Sequence, residues 1–141
     1  MTTKTPKDEA EEVMNALMPI AKEALSRYGA FIPFGAVMRA NGSIVPMRSE
    51  GGGEQPPEQA MQRLNSAFVA GAEAKEYRAT GLAMHVRTPL PGETQPSDAV
   101  AVQLDHAGGF SAVVVFPYQR SAAHEVTFGM PFARPTKGAI F

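Results

Sequence analysis

The most constraining feature of the sequence is an Asn-Gly pair between two apolar runs. Both runs lie within Phe31–Met47, and Asn41-Gly42 separates them. The central residues of a type I′ turn need positive φ, which Asn and Gly adopt more readily than other residues. The pair is therefore a strong short-range signal for a β-hairpin. We predict a hairpin in which residues 33–40 pair with residues 43–47.

Helical patterns lie on both sides of this hairpin. Thr5-Pro6 followed by acidic residues is typical of a helix start, and Gly29 after an apolar stripe is typical of a helix end. Pro19 falls inside this stripe, where its missing N–H and its steric clash predict a kink or a restart. A second apolar stripe predicts a helix over 57–75, with Gly71 as a close-packing position.

Strand patterns fill the second half of the chain. Apolar and polar residues alternate over 77–87 and again over 98–105, which is typical of half-buried strands. The run 110–118 is apolar on both faces, which indicates a central strand covered on two sides and ended by Pro117. A weaker pattern predicts a short strand over 124–128.

The predicted element order is helix, β-hairpin, helix and antiparallel β-meander. This is an α+β fold with a single sheet and, on this interpretation, with both helices on one face of it. The order αββαβββ resembles the profilin-like topology, which also occurs in roadblock and longin domains and in several bacterial sensor and haem-associated modules. The resemblance covers about residues 6–118 and is one of element order. It implies a ligand-binding or dimerising module more often than an enzyme.

Length and composition indicate one domain. The 141 residues are enough to bury a hydrophobic core, so we predict a single domain over 1–141 in which 128–141 is an apolar docking tail. The tail would pack on its own domain or on a second copy. A net charge of −1 provides no field that attracts nucleic acid. The chain has no apolar window of the roughly 18 residues that span a membrane, and its polar, acidic start is unlike a secretory signal. We therefore expect a soluble cytoplasmic protein with neither nucleic-acid nor membrane partners.

Patterns for metal binding, cofactors or catalysis are weak. The chain has no cysteine, and its three histidines lack the helical i,i+4 spacing of a shared site. Ser111, His106 and Asp105 are the residue types of a catalytic triad but lack a nucleophile elbow. The glycine triplet at 51–53 lacks the companions of a phosphate-binding loop, so we interpret it as a flexible linker. We expect no cofactor, no metal site and no catalytic residue.

Polar residues on strands beside loops are the candidate ligand-binding group, because sites tend to form where loops meet a rigid sheet. These residues are His85, Arg87, Asp105 and Arg120. The arginines are suited to carboxylate or phosphate. A pocket that used this group would lie between the sheet and the loops at 48–57 and 88–97.

Two functions agree with these patterns. The first is a small non-catalytic binding or interaction domain, expected to be a homodimer because a small antiparallel sheet has edge strands that must be paired or covered. A bacterial regulatory or immunity-type accessory protein with a protein partner is one version of it. The alternative is a small-molecule sensor or a small enzyme that uses the pocket described above. We favour the first.

Overall fold

The computed structural model describes residues 4–48 and 56–141, and it confirms the α+β architecture. The described strands form one antiparallel sheet in the order β2-β1-β3-β4-β5-β6, and β7 also pairs with β5. The predicted order αββαβββ is present from α1 to β5. The linker predicted at 51–53 lies outside the described residues. The elements are α1 (Pro6–Tyr28), β1 (Phe34–Arg39), β2 (Ile44–Arg48), α2 (Pro57–Glu73), β3 (Tyr77–Pro89), β4 (Pro96–His106), β5 (Ser111–Arg120), β6 (Val126–Phe128) and β7 (Phe132–Pro135).

Helix α1 begins and ends where its sequence predicts. The Thr5 hydroxyl accepts from the Asp8 backbone N–H, and the Asp8 carboxylate accepts from the Thr5 N–H, both at 3.1 Å. Gly29 closes the helix with φ of 76°. The helix is continuous through Pro19, so the predicted restart does not occur. Pro19 has no N–H to donate to the Asn15 carbonyl, one turn earlier in the helix. Both residues are exposed, so water can bind that carbonyl instead.

The hairpin forms at the predicted position but with a different turn. Arg39 donates its N–H to the Ser43 carbonyl, which leaves three residues in the loop rather than two. Gly42 has φ of 91°, whereas Asn41 does not have positive φ. The Asn41 side-chain oxygen instead accepts from the Ser43 N–H at 3.0 Å. A three-residue loop with glycine in the left-handed region is the next most common hairpin connection.

The two helices pack on opposite faces of the sheet, which corrects the prediction that they share one face. On one face, a Cβ added to Gly81 in β3 would lie 2.8 Å from Val13 and 2.9 Å from Leu17 of α1. On the other face, a Cβ added to Gly35 in β1 would lie 2.6 Å from the Phe68 ring of α2. The two faces are called the α1 face and the α2 face below. The α2 face carries a buried cluster of Val37, Leu64, Phe68, Leu82 and Ile140.

The central strands are β3 and β4, not β5 as the apolar run predicted. Residues 79–83 are buried on both faces, because small Ala and Gly side chains let α1 approach closely. Val113, Val114 and Phe116 of β5 are only partly buried. The strand also continues through Pro117 to Arg120. The Pro117 carbonyl accepts a hydrogen bond from the Gly129 N–H at 2.7 Å. The nitrogen and the carbonyl of a strand residue point to the same side, so the proline nitrogen, which has no hydrogen to donate, faces the break between β6 and β7.

Both edges of the described sheet hinder pairing with another strand. Arg39 and Ser43 face each other at a hydrogen-bonded position of the β1–β2 pair, and such positions alternate with positions that point outward. Pro46 therefore lies at an outward position, where its nitrogen, which has no hydrogen to donate, faces the open edge of β2. At the other edge, β6 and β7 follow one another along β5. Phe128 faces Tyr118 and Phe132 faces Val115, so the three residues 129–131 lie opposite the two residues 116–117 of β5. This is the arrangement of a β-bulge, and prolines and bulges protect sheet edges. The described sheet therefore needs no second copy to cover its edge strands.

Residues 136–141 cross the α2 face as a segment that we call the strap. The Thr136 N–H donates to the Ser111 carbonyl at 3.1 Å, and the Ala139 N–H donates to the Asp105 carboxylate. Ile140 is 8% exposed and packs in the α2-face cluster. The strap therefore packs on its own chain in this structure. In the described ranges, neither helix is long and apolar enough to cross a membrane.

Candidate functional site

The structure brings two of the four predicted ligand residues together. His85 Nε2 and Arg87 Nε lie 3.6 Å and 3.7 Å from the same Asp98 carboxylate oxygen. The ring centroids of His85 and Tyr118 are 5.9 Å apart. Arg87 faces Asp98 in the register of β3 and β4, and the alternation of the strands places all four side chains on the α1 face. We call these four residues the Asp98 cluster.

Within the Asp98 cluster, burial and the neighbouring charges shift the pKa of Tyr118. Burial raises the pKa of the Tyr118 hydroxyl, and the Asp98 carboxylate raises it further while Arg120 opposes both effects. The hydroxyl therefore stays protonated and serves as a neutral hydrogen-bonding group. The Arg87 side chain is 66% exposed, so its ion pair with Asp98 contributes little to stability.

Arg120, the third predicted residue, holds the end of α1. Its Nη2 donates to the Ser26 carbonyl at 3.2 Å, and the same nitrogen contacts Nδ1 of His124. Ser26 belongs to the last turn of the helix, where a cation interacts favourably with the free carbonyls and the helix dipole. The position of Arg120 therefore gives it a structural role in addition to any role in binding.

Asp105, the fourth predicted residue, lies on the α2 face, away from the other three. Asp105 faces Thr80 of β3, which lies five positions before His85 on that strand. At about 3.3 Å per residue, Thr80 and His85 are roughly 17 Å apart along the strand. The Asp105 side chain is 3% exposed and accepts from the Ser111 hydroxyl at 2.8 Å and from the strap. Burial raises the pKa of this carboxyl, and the two hydrogen bonds oppose the rise. Asp105 therefore binds the strap and does not line an open pocket.

A polar group that the sequence did not indicate lies at the N-terminal end of α1. Glu9 Oε1 lies 2.9 Å from His106 Nε2, and Glu9 Oε2 accepts from Arg78 at 2.9 Å. His106 Nδ1 accepts from the Gly108 N–H at 2.8 Å, so the ring proton is on Nε2 and is donated to Glu9. The hydrogen bond from His106, supported by Arg78, holds the pKa of Glu9 below its ordinary value although burial opposes it. This group joins α1 to β3 and β4.

Glu9→Gln is expected to lower the free energy of unfolding at pH 7 by about 2 kcal/mol, because hydrogen bonds to a charged group are stronger than neutral ones. The pKa of Glu9 is lowered in the folded state. Its contribution is therefore complete above the ordinary glutamate pKa of about 4.3 and is lost as the pH falls through the lower folded value. Urea unfolding followed by circular dichroism should show the difference from wild type disappearing in acid.

The matched control for this experiment is Glu11→Gln. Glu11 is an exposed carboxylate on the same helix, and it lies 3.9 Å from Lys7. Its substitution should change the free energy of unfolding by less than about 0.5 kcal/mol at every pH. A Glu9→Gln effect that is constant with pH, or as small as that of the control, would contradict the role given to Glu9.

The described surface includes the following two open clefts. The larger, about 610 Å³, is between β2 and α2, and we call it the α2 cleft. Its lining consists of the apolar Met47, Leu64 and Ala67 and the polar Arg48, Gln59, Gln62, Arg63 and Ser66. The second, about 450 Å³, lies beside the loop at 88–97, and we call it the β6 cleft. Its lining consists of Leu90, Ser97, Pro117, Tyr118, Gln119, Thr127, Phe128, Gly129 and Met130.

The histidines and carboxylates of the described residues are dispersed. Across residues 4–48 and 56–141, no group of three His, Asp or Glu side chains is placed to hold a metal ion. The triad of Ser111, His106 and Asp105 does not form, because His106 bonds Glu9 on the α1 face while Asp105 and Ser111 lie on the α2 face. Neighbouring residues of a strand point to opposite faces, so Asp105 and His106 cannot share one site.

Comparison with known proteins found no relative of this chain. It matches no protein-family model, no curated protein and no solved structure.

Proposed function

We propose that this protein is a small non-catalytic binding domain. The observation that carries this proposal is that the buried carboxylate and histidine side chains form hydrogen bonds within the fold. Among the described residues, the buried carboxylates and histidines are Asp105 and His106, and the buried Tyr118 hydroxyl stays protonated. Asp105 binds Ser111 and the strap, and His106 binds Glu9 and the Gly108 N–H. A catalytic acid or base must reach a substrate proton, whereas these groups direct their hydrogen bonds to other parts of the fold.

The α2 cleft is the surface that best fits a protein partner. It combines an apolar floor at Met47, Leu64 and Ala67 with polar side chains around it. An apolar centre with a polar rim is typical of binding interfaces, and Arg is enriched in them. Arg48 at the end of β2 is suited to an acidic group of the partner.

A photo-crosslinking residue at position 62 tests this surface in cells that contain the partner. Gln62 lines the α2 cleft, and Lys22 on α1 is an exposed control on the opposite face. We expect a discrete crosslinked product from position 62 and none from position 22. The assignment fails if position 62 gives no product, or if both positions give the same product.

The homodimeric state is also proposed, on a different observation. Met130 is 87% exposed and lies at the β6 cleft, whose lining also includes the apolar Leu90, Pro117 and Phe128. An exposed apolar side chain beside an apolar cleft can pair with the same surface of a second copy around a two-fold axis. The cytoplasmic location and the bacterial accessory role stay predictions.

A small-molecule sensor or a small enzyme remains the second candidate, because the β6 cleft lies beside the loop at 88–97 where the sequence placed a pocket. Its strand residues Ser97, Gln119 and Thr127 alternate with Asp98 and Tyr118, so they face away from the Asp98 cluster. Tyr118 of that cluster also lines the cleft, however, and its ring centroid lies 5.9 Å from that of His85, so the cleft borders the cluster that contains the predicted ligand residues His85 and Arg87.

His85→Ala and Arg87→Ala separate the two candidates. For a non-catalytic binding domain, each variant should keep the fold, with the free energy of unfolding within about 1 kcal/mol of wild type, because both side chains are partly exposed. Native mass spectrometry should give the same mass for wild type and both variants. A bound small molecule that is present in wild type and lost from either variant would favour the sensor or enzyme.

A further inference from the structure

We propose that two copies of this chain exchange residues 131–141, so that β7 and the strap of each copy pack on the sheet of the other. The inference rests on the homodimeric state proposed above and names the segment that forms the dimer. We call the surface that β7 and the strap contact the slot. In the exchanged dimer, the slot of each copy holds residues 131–141 of the other copy.

The exchanged segment makes its contacts with parts of the chain that a second copy also provides. Strand β7 pairs with residues 112–115 of β5. The strap bonds Ser111 and Asp105, and Ile140 packs in the α2-face cluster. Each of these contacts can therefore be made unchanged within one copy or between two, which is the condition for domain swapping.

The hinge of the exchange is the bulge at 129–131. It contains one more residue than the stretch of β5 that it faces, as the register of β6 and β7 requires. Met130 precedes Pro131, and a residue before proline is biased towards extended backbone. In the single chain this hinge brings β7 back to its own β5, and in an extended form it would span the distance to β5 of a second copy. Short, constrained hinges of this kind favour exchange.

The surroundings of the hinge supply an interface for the exchanged dimer. In that dimer the two hinges lie side by side around the two-fold axis, and Met130 of each copy reaches the β6 cleft of the other. Met130 is 87% exposed in the single chain, and the cleft that receives it has a volume of about 450 Å³. Methionine is flexible and fills irregular apolar gaps. Exchange also needs no new strand edge, whereas Pro46 and the bulge hinder direct edge pairing.

A disulfide between the strap and β5 reports which copy holds the strap. The chain has no cysteine, so Ser111→Cys with Gly138→Cys introduces the sole thiol pair. A Cβ built on Gly138 lies 3.9 Å from the Ser111 Cβ, within the range of natural disulfides. The double variant is concentrated in reductant until native mass spectrometry has recorded its state. It is then oxidised with diamide and run on a denaturing, non-reducing gel.

We expect a covalent dimer from the dimeric preparation. A dimer in native mass spectrometry that gives monomers with an internal disulfide on the gel would overturn the exchange while leaving the homodimer in place. A monomer at every concentration would overturn both. The single variants Ser111→Cys and Gly138→Cys, oxidised in the same way, show how much covalent dimer forms without a matched pair, and the double variant must exceed them.

A second variant tests the hinge without changing the slot. Insertion of Gly-Ser-Gly between Met130 and Pro131 lengthens the hinge and lets the segment fold back on its own copy, and lengthening a hinge disfavours swapping. We expect the dissociation constant of the dimer to rise at least tenfold in sedimentation equilibrium. An unchanged dissociation constant would contradict the hinge at 129–131.

Discussion

Phe68→Ala is expected to lower the free energy of unfolding by about 3–5 kcal/mol, because it removes a large aromatic ring from a closed site. Phe68 is 1% exposed and belongs to the α2-face cluster. Its ring lies against Gly35, so truncation opens a cavity between α2 and the sheet. Neighbouring side chains can fill such a cavity only in part, because their strands are fixed by the sheet.

Urea unfolding followed by circular dichroism measures this effect. Phe68→Leu, which keeps most of the apolar volume, should cost less, about 1–1.5 kcal/mol. A loss below about 1 kcal/mol for Phe68→Ala would place Phe68 outside the core and would contradict the packing of α2 described here. The same variant should weaken the docking of Ile140, which packs in the same cluster.

Gly35→Ala is expected to be nearly as damaging, with a loss of about 3 kcal/mol from overpacking. A Cβ at position 35 would lie 2.6 Å from the Gly81 carbonyl oxygen and 2.6 Å from the Phe68 ring. The carbonyl oxygen belongs to the backbone of the neighbouring strand, so it cannot rotate away. The sheet and α2 must both move to admit one methyl group.

Gly129→Ala is the matched control, because a Cβ at that position would have its nearest neighbours at 3.7 Å, an ordinary contact. It should change the free energy of unfolding by less than about 1 kcal/mol. Gly35→Ala combined with Phe68→Ala should cost less than the sum of the single variants, since removing the ring relieves one of the two clashes. Strict additivity would show that the ring and Gly35 do not meet.

Elements fixed by local chemistry were predictable from the sequence. The Thr5 cap, the Gly29 end of α1 and the Asn-Gly hairpin each depend on residues within a few positions of one another. Gly71 was also identified as a packing position, and the structure places the Tyr77 ring against it. Such features depend little on the rest of the fold, which is why sequence patterns reveal them.

The arrangement of the helices was not predictable in the same way. Ala79, Gly81 and Ala83 alternate with larger residues on β3, and α1 packs on them because they are small. Hydrophobicity alone does not distinguish a small residue that faces water from one that admits a helix. The two-sided burial of β3 and β4 follows from that close approach.

The candidate site was predictable only in part. Alternation correctly separates His85 and Arg87 from Met84 and Val86, and the register of two long strands then brings both to Asp98. The contact between Asp105 and the strap joins positions 105 and 139, and no local pattern specifies it. The hydrogen bond between Glu9 and His106 is equally distant in sequence.

Native mass spectrometry of the purified 141-residue chain tests the central proposal, a homodimeric non-catalytic binding domain, most directly. We expect a complex of twice the 15.0 kDa chain mass with no additional mass. A monomer at every concentration would contradict the homodimer. Additional mass that disappears under denaturing conditions would contradict a purely interacting domain, and its value would identify the class of ligand bound.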